Sequence, residues 1–165
     1  MQHVQTRSTT SALVLTAVLI ALATLFTMYT KIPVPGIRGY FNVGDVVIMT
    51  SALLLGRKYG AYIGAIGPAL ADLFLGYAVF VPITFVVKGI EGYLVGTVYN
   101  NKTTTSALVA TIVGGIVIVA GYFIAEYFVF DPGVAIVSIL TNTIQAVMSV
   151  IISMILYAIL RKRLG

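Results

Sequence analysis

The sequence predicts an all-α integral membrane protein, a bundle of six transmembrane helices forming one domain over residues 1–165, with both termini in the cytoplasm. Three observations carry that expectation. The 165 residues are 59% hydrophobic and only 9% charged, and a mean hydropathy of +1.05 lies well outside the composition of soluble domains. The apolar residues collect into segments at roughly 11–29, 43–56, 59–76, 79–99, 106–130 and 133–160, divided by short polar or Gly/Pro-rich stretches. Basic residues are asymmetric about those segments: Arg7, Arg57, Lys58, Lys102, Arg161, Lys162 and Arg163 fall on one side, against Lys31 and Arg38 on the other.

The first segment follows a polar tail. Its arginine and Ala21-Leu22-Ala23 imitate a signal peptide, but the apolar run continues to Met28 and predicts a retained helix. That helix carries Ala17 and Ala21, a small-residue spacing that lets another helix approach closely. The loop TKIPVPGIRGYFN is stiffened by proline and hinged by glycine, as a lid would be. The second segment has about 14 residues, or about 21 Å, short against a hydrocarbon core of about 30 Å. Asn42 and Asp45 at its start read as an approximate capping box. In the third segment Gly60/Gly64 and Ala61/Ala65 make small faces, and Pro68 predicts a kink. The fourth begins near Pro82 and carries Gly92 and Gly96; the sixth begins at Asp131-Pro132-Gly133, where Asp caps and Pro opens a helix.

Several function classes are excluded. There is no cysteine, and the one histidine, His3, lies in the polar tail, so no metal cluster or Ser/His/Asp triad can be assembled. No GxxxxGK[ST] loop is present, so the chain does not itself hydrolyse ATP. The net charge of +5 is a topology signal, because no basic stripe interleaved with aromatics accompanies it, and no nucleic-acid partner is expected. No cofactor is expected either. Residues 1–80 and 81–165 show no repeat of the kind a stand-alone secondary transporter carries, and nothing accompanies Asp72 or Glu91 to make an intramembrane enzyme.

Charges inside apolar segments need a reason, since each costs several kcal/mol in hydrocarbon unless paired or facing a wet cavity. In FVVKGIEGYLVG, Lys88 and Glu91 lie about 9–10 and 14–15 Å from the outer end at about 1.5 Å per residue, on one face with Thr84. Asn142 and Gln145 share a face of the sixth helix at about 14 and 19 Å. Asp72 and Glu126 fall near the outer ends of their helices, whereas the inner halves read as almost purely apolar. That asymmetry predicts a pocket open outward and closed below, a binding site rather than a channel. The bland alternative pairs Lys88 with Glu91 or Asp72 as structural glue, leaves Asp45 as a cap, and solvates Glu126 at the interface. Tyr40, Phe41, Tyr77, Phe80, Phe85, Tyr122 and Tyr127 gather near the outer boundary, as an interfacial belt or as walls for a flat ring. Acids outnumber Lys88 there, which favours a neutral or cationic ligand.

The order of six short spans, Ala17xxxAla21, and YFNVGDVVIMTSALLLGRKYGAYIGAIGPALADLFLGYAVFVPITFVVKGIEGYLVG resemble the substrate-binding S components of energy-coupling factor (ECF) vitamin transporters. The resemblance is to the riboflavin-transporter-like branch, which includes members assigned to hydroxymethylpyrimidine and vitamin B6 compounds. It is strong over residues 10–97; beyond that, the match is in helix length and placement. It implies a multi-pass protein of a bacterial cell membrane, surrounded by lipid, that captures a vitamin at its outer face. Ala17 and Ala21 would dock on a transmembrane coupling subunit driven by two ATPase subunits, and the S component would topple to deliver its cargo. The first and third loops would form the lid and helices four to six much of the site. Those regions contain Arg38, Tyr40, Phe41, Asn42, Asp72, Tyr77, Phe80, Thr84, Lys88, Glu91, Asn142 and Gln145. The implied ligands are hydroxymethylpyrimidine, vitamin B6 or a thiamin-like ring. Riboflavin as substrate, or a stand-alone secondary transporter, are the alternatives.

Overall fold

The computed structural model describes residues 9–33, 40–99 and 103–164. Helices run over Thr9–Tyr29 (α1), Gly44–Leu55 (α2), Arg57–Phe74 (α3), Phe80–Val98 (α4), Thr104–Val129 (α5) and Pro132–Leu164 (α6). Their ends lie within about one turn of the expected boundaries, because the punctuators act locally. Asp131 accepts the Gly133 N–H at 2.7 Å as α6 begins at Pro132, and Thr103 accepts the Ser106 N–H at 3.1 Å at the start of α5. Pro82 sits in the first turn of α4, where no intrahelical N–H partner is needed. Gly56, at φ +88°, breaks α2 from α3 in a backbone region that side chains disfavour.

Four helices, α1, α4, α5 and α6, are long and apolar enough to cross a membrane. Between α1 and α2 a two-residue hairpin pairs Ile32 (β1, Ile32–Pro33) with Phe41 (β2, Tyr40–Phe41). The hairpin marks the end of the bundle where α2, α4 and α6 begin.

The short α2 is the hub. It packs against all five other helices, and nine of its 12 residues are buried. Around it α1 lies on α3, α3 on α4, α4 on α5 and α5 on α6. Met49, Ala52 and Leu53 join Val95, Ala110, Ile118, Ala146 and Tyr157 in one core, while Ile48 meets Ala23 and Ile63 in another. α3 and α4 approach closely through glycine: a Cβ on Gly64 would run into the Lys88 carbonyl oxygen, and one on Gly92 into that of Gly60. This contact fixes the height and rotation of the α4 segment that carries Lys88 and Glu91.

Two expectations are corrected. The capping box does not form: the N-cap of α2 is Val43, without a side-chain cap. Asn42 instead accepts the Gly44 N–H at 2.8 Å, and Asp45 is fully buried, turned into the bundle. The far halves of the helices are not purely apolar either, since Thr111, Ser149 and Ser153 are buried there. Thr111 and Ser153 donate to carbonyls of their own helices, the usual way hydroxyls enter an apolar bundle.

Candidate functional site

At the hairpin end the buried charges meet. The Lys88 ammonium, 1% exposed, lies 2.5 Å from Oδ1 of Asp45 and 3.4 Å from Oε2 of Glu91. The other Asp45 oxygen accepts the Gln145 side-chain N–H at 2.7 Å, and the Gln145 carbonyl accepts the backbone N–H of Asn42 at 3.0 Å. Lys88 also lies 5.3 Å from the centre of the Tyr122 ring, whose hydroxyl is 3.0 Å from Thr84 Oγ1. Thus α2, α4, α5, α6 and the end of the hairpin each contribute a group. An ammonium removed from water is tolerated when carboxylate, π-face and hydrogen bonds replace its hydration together.

Glu91 stands differently. It is fully buried, yet neither carboxylate oxygen has a hydrogen-bond partner among the described residues. Glu126, 4% exposed, likewise has one oxygen without a partner. Its burial goes against the alternative of a carboxylate solvated at the interface.

Of the residues expected from sequence, Asn42, Thr84, Lys88, Glu91 and Gln145 are brought together. Lys88 turns to Asp45 and Glu91 rather than to Asp72. Asp72 is buried near the end of α3, and its backbone carbonyl accepts the Tyr77 N–H at 2.8 Å. Phe80 is buried between Tyr77 and Phe130, with ring centres 6.3 and 5.2 Å away. Lys31 reaches across from the end of α1 to lie 5.3 Å from the Tyr77 ring. Asn142 is half-buried, one turn before Gln145 on α6. Tyr40 and Phe41 form β2 through their backbones, and Arg38 lies outside the described residues, as do Arg7 and Lys102. Phe85 and Tyr127 are 50% and 45% exposed, directed away from the cluster.

Sequence reasoning left two cluster members out of the site. Asp45, at the second residue of α2, imitates a helix-start acid, and one turn of sequence does not tell which way it faces. Tyr122 reads from sequence only as one of the outer aromatics, belt or pocket wall; its spacing of four from Glu126, on the α5 stripe that buries Ile118, is the signal that points it inward. Ala17 and Ala21 are exposed, and with Ile20, Leu25 and Met28 they line a groove against Leu70 and Phe74 of α3. Among the described residues, no three Asp, Glu or His side chains gather as a metal site would require.

The profile of the family described as "ECF-type riboflavin transporter, S component" matches residues 7–162. A protein of Pyrococcus woesei, described as "Uncharacterized protein in gap 3'region", is 41% identical over 145 residues, 86% of this chain and 96% of its own. The "Thiamine precursor transporter HmpT" of Lactococcus lactis subsp. cremoris is 29% identical over 149 residues, covering 89% of this chain and 83% of its own. Among solved structures, one titled "Structure and mechanism of the S component of a bacterial ECF transporter" shares the fold at a TM-score of 0.76 and 21% identity, over 93% of this chain and 96% of that one. That family is one of transporter components, not of enzymes. With a match spanning nearly the whole chain and four helices fit to cross a bilayer, the protein is a membrane protein that belongs to the ECF-type riboflavin transporter S component family.

Proposed function

We propose that the chain captures a small ring-containing vitamin precursor, of the hydroxymethylpyrimidine type, at the outer face of the cell membrane. The observation that carries this reading is the buried cluster of Asp45, Lys88, Glu91 and Gln145, drawn from α2, α4 and α6 to one end of the bundle. Such a concentration of polar groups is costly for a fold that needs only packing, and it suits a ligand site. The Lactococcus relative's name, a thiamine precursor transporter, supports the pyrimidine over other rings. The family's description keeps riboflavin as the second reading.

In this reading all six helices cross the bilayer with both termini cytoplasmic, α2 doing so as a short span enclosed by its neighbours. Asn42, Asp45, Thr84, Lys88, Glu91, Tyr122 and Gln145 form or border the ligand site. Asp72, Tyr77, Phe80 and Asn142 line its approach, with Arg38, Tyr40 and Phe41 in the lid. The groove at Ala17 and Ala21 docks on a transmembrane coupling subunit carrying two ATPase subunits, since small exposed residues let a partner helix come close.

The test is to purify the chain in detergent, denature it, and identify released small molecules by liquid chromatography and mass spectrometry. A stoichiometric pyrimidine is expected. A stoichiometric flavin would replace the first reading by the second. Neither a bound ring nor thermal stabilisation by any vitamin of a panel would refute the capture role. Uptake by cells that express the chain without a coupling ATPase would refute the docking role.

A further inference from the structure

Within the cluster, the two buried Glu91 oxygens stand without a hydrogen-bond partner among the described residues, while their neighbours each have one. Lys88 is held by Asp45 and Glu91, with the Tyr122 ring on a further side. Gln145 uses its N–H on Asp45 and its carbonyl on Asn42. The hydroxyls of Thr84 and Tyr122 bond each other. Each of these groups has at least one partner, whereas neither carboxylate oxygen of Glu91, at 0% exposure, has a hydrogen-bond donor among the described residues. The Lys88 contact at 3.4 Å is longer than the about 2.7–2.9 Å of a charge-assisted hydrogen bond. Buried polar atoms are almost always satisfied, so a carboxylate in this state marks where a donor belongs.

We infer that Glu91 determines the specificity of the site: the ligand presents adjacent N–H donors to its carboxylate, as an amino group beside a protonated ring nitrogen does, and Lys88, held by Asp45, orients that carboxylate rather than touching the ligand. This rests on the capture role proposed above. An amidine-like edge matches both carboxylate oxygens with two parallel N–H bonds. A ring edge dominated by carbonyl oxygens, such as the flavin dione, opposes acceptor to acceptor and is rejected.

The test compares two rings by titration calorimetry on the full chain in detergent: aminated hydroxymethylpyrimidine, and the same ring with hydrogen in place of its amino group. The aminated ring is expected to bind about 10- to 150-fold more tightly, the effect of one hydrogen bond to a charged acceptor. In Glu91→Gln that ratio falls toward one while the thermal midpoint of the unliganded protein is not lowered, since glutamine keeps the shape and removes a buried charge. Equal affinity of the two rings in the unmodified protein overturns the inference without any variant. A ratio unchanged in Glu91→Gln overturns it as well, as does tight flavin binding with no pyrimidine binding; in each of these cases the capture role stands. Binding of no ring of either kind overturns the capture role and the inference together.

Discussion

Asp45 is the residue whose removal tests the cluster most severely. In Asp45→Ala, Lys88 keeps only the longer Glu91 contact at 3.4 Å, and the Gln145 N–H loses the acceptor it had at 2.7 Å. Taking one partner from a buried ion pair costs about 3–5 kcal/mol, and a stranded buried amide donor adds about 1–3 kcal/mol. The low end of that sum is about 4 kcal/mol. In a chain of this length each kcal/mol moves the thermal midpoint by about 2–4 °C, so a fall of about 8–16 °C is expected. The assay is thermal unfolding in detergent followed by far-ultraviolet circular dichroism, with Lys88→Met and the double variant measured alongside. The double variant should recover at least about half of the Asp45→Ala loss, because it removes the ammonium that has lost its nearer carboxylate. A midpoint unchanged in Asp45→Ala, or losses that simply add in the double variant, would refute the claim that these two groups stabilise each other.

Three further outcomes are expected. Gly64→Ala drives a methyl into the Lys88 backbone carbonyl and should destabilise by about 1–3 kcal/mol, read as a lowered thermal midpoint; an unchanged midpoint would show that α3 and α4 separate freely. Tyr157→Phe removes the hydroxyl 2.5 Å from that of Tyr99, far from the cluster, and should lower stability by about 1 kcal/mol while leaving ligand affinity, measured by calorimetry, unchanged. Ala17→Leu with Ala21→Leu should leave ligand binding intact and abolish co-purification with the coupling subunit, because both side chains open on the groove rather than the bundle interior; retained co-purification would move the docking face elsewhere.

The helices themselves were legible because their causes are local. A bilayer demands long apolar runs with satisfied backbones, and Pro132, Gly56 and Thr103 end or begin such runs by their own conformational preferences. Lys88, Glu91 and Gln145 announced themselves by the cost of placing polar groups in apolar segments. Their register on α4 and α6 followed from 3.6 residues per turn. So the sequence by itself determined the all-helical membrane class, the approximate helix bounds, and the end of the bundle at which the buried charges gather.

Who meets whom was decided only by the tertiary structure. Lys88 takes Asp45, 43 positions away, and Asp45 takes Gln145, 100 positions away. Those choices depend on how each helix is rotated about its axis and how close its neighbour comes. The rotation of α4 is set by the glycine contact with α3, and α2 is drawn to the centre by a burial its short length alone does not reveal. An acid in the first turn of a helix reads locally as a cap. It becomes the anchor of a buried lysine because five helices close around it and leave no water to compete for either charge.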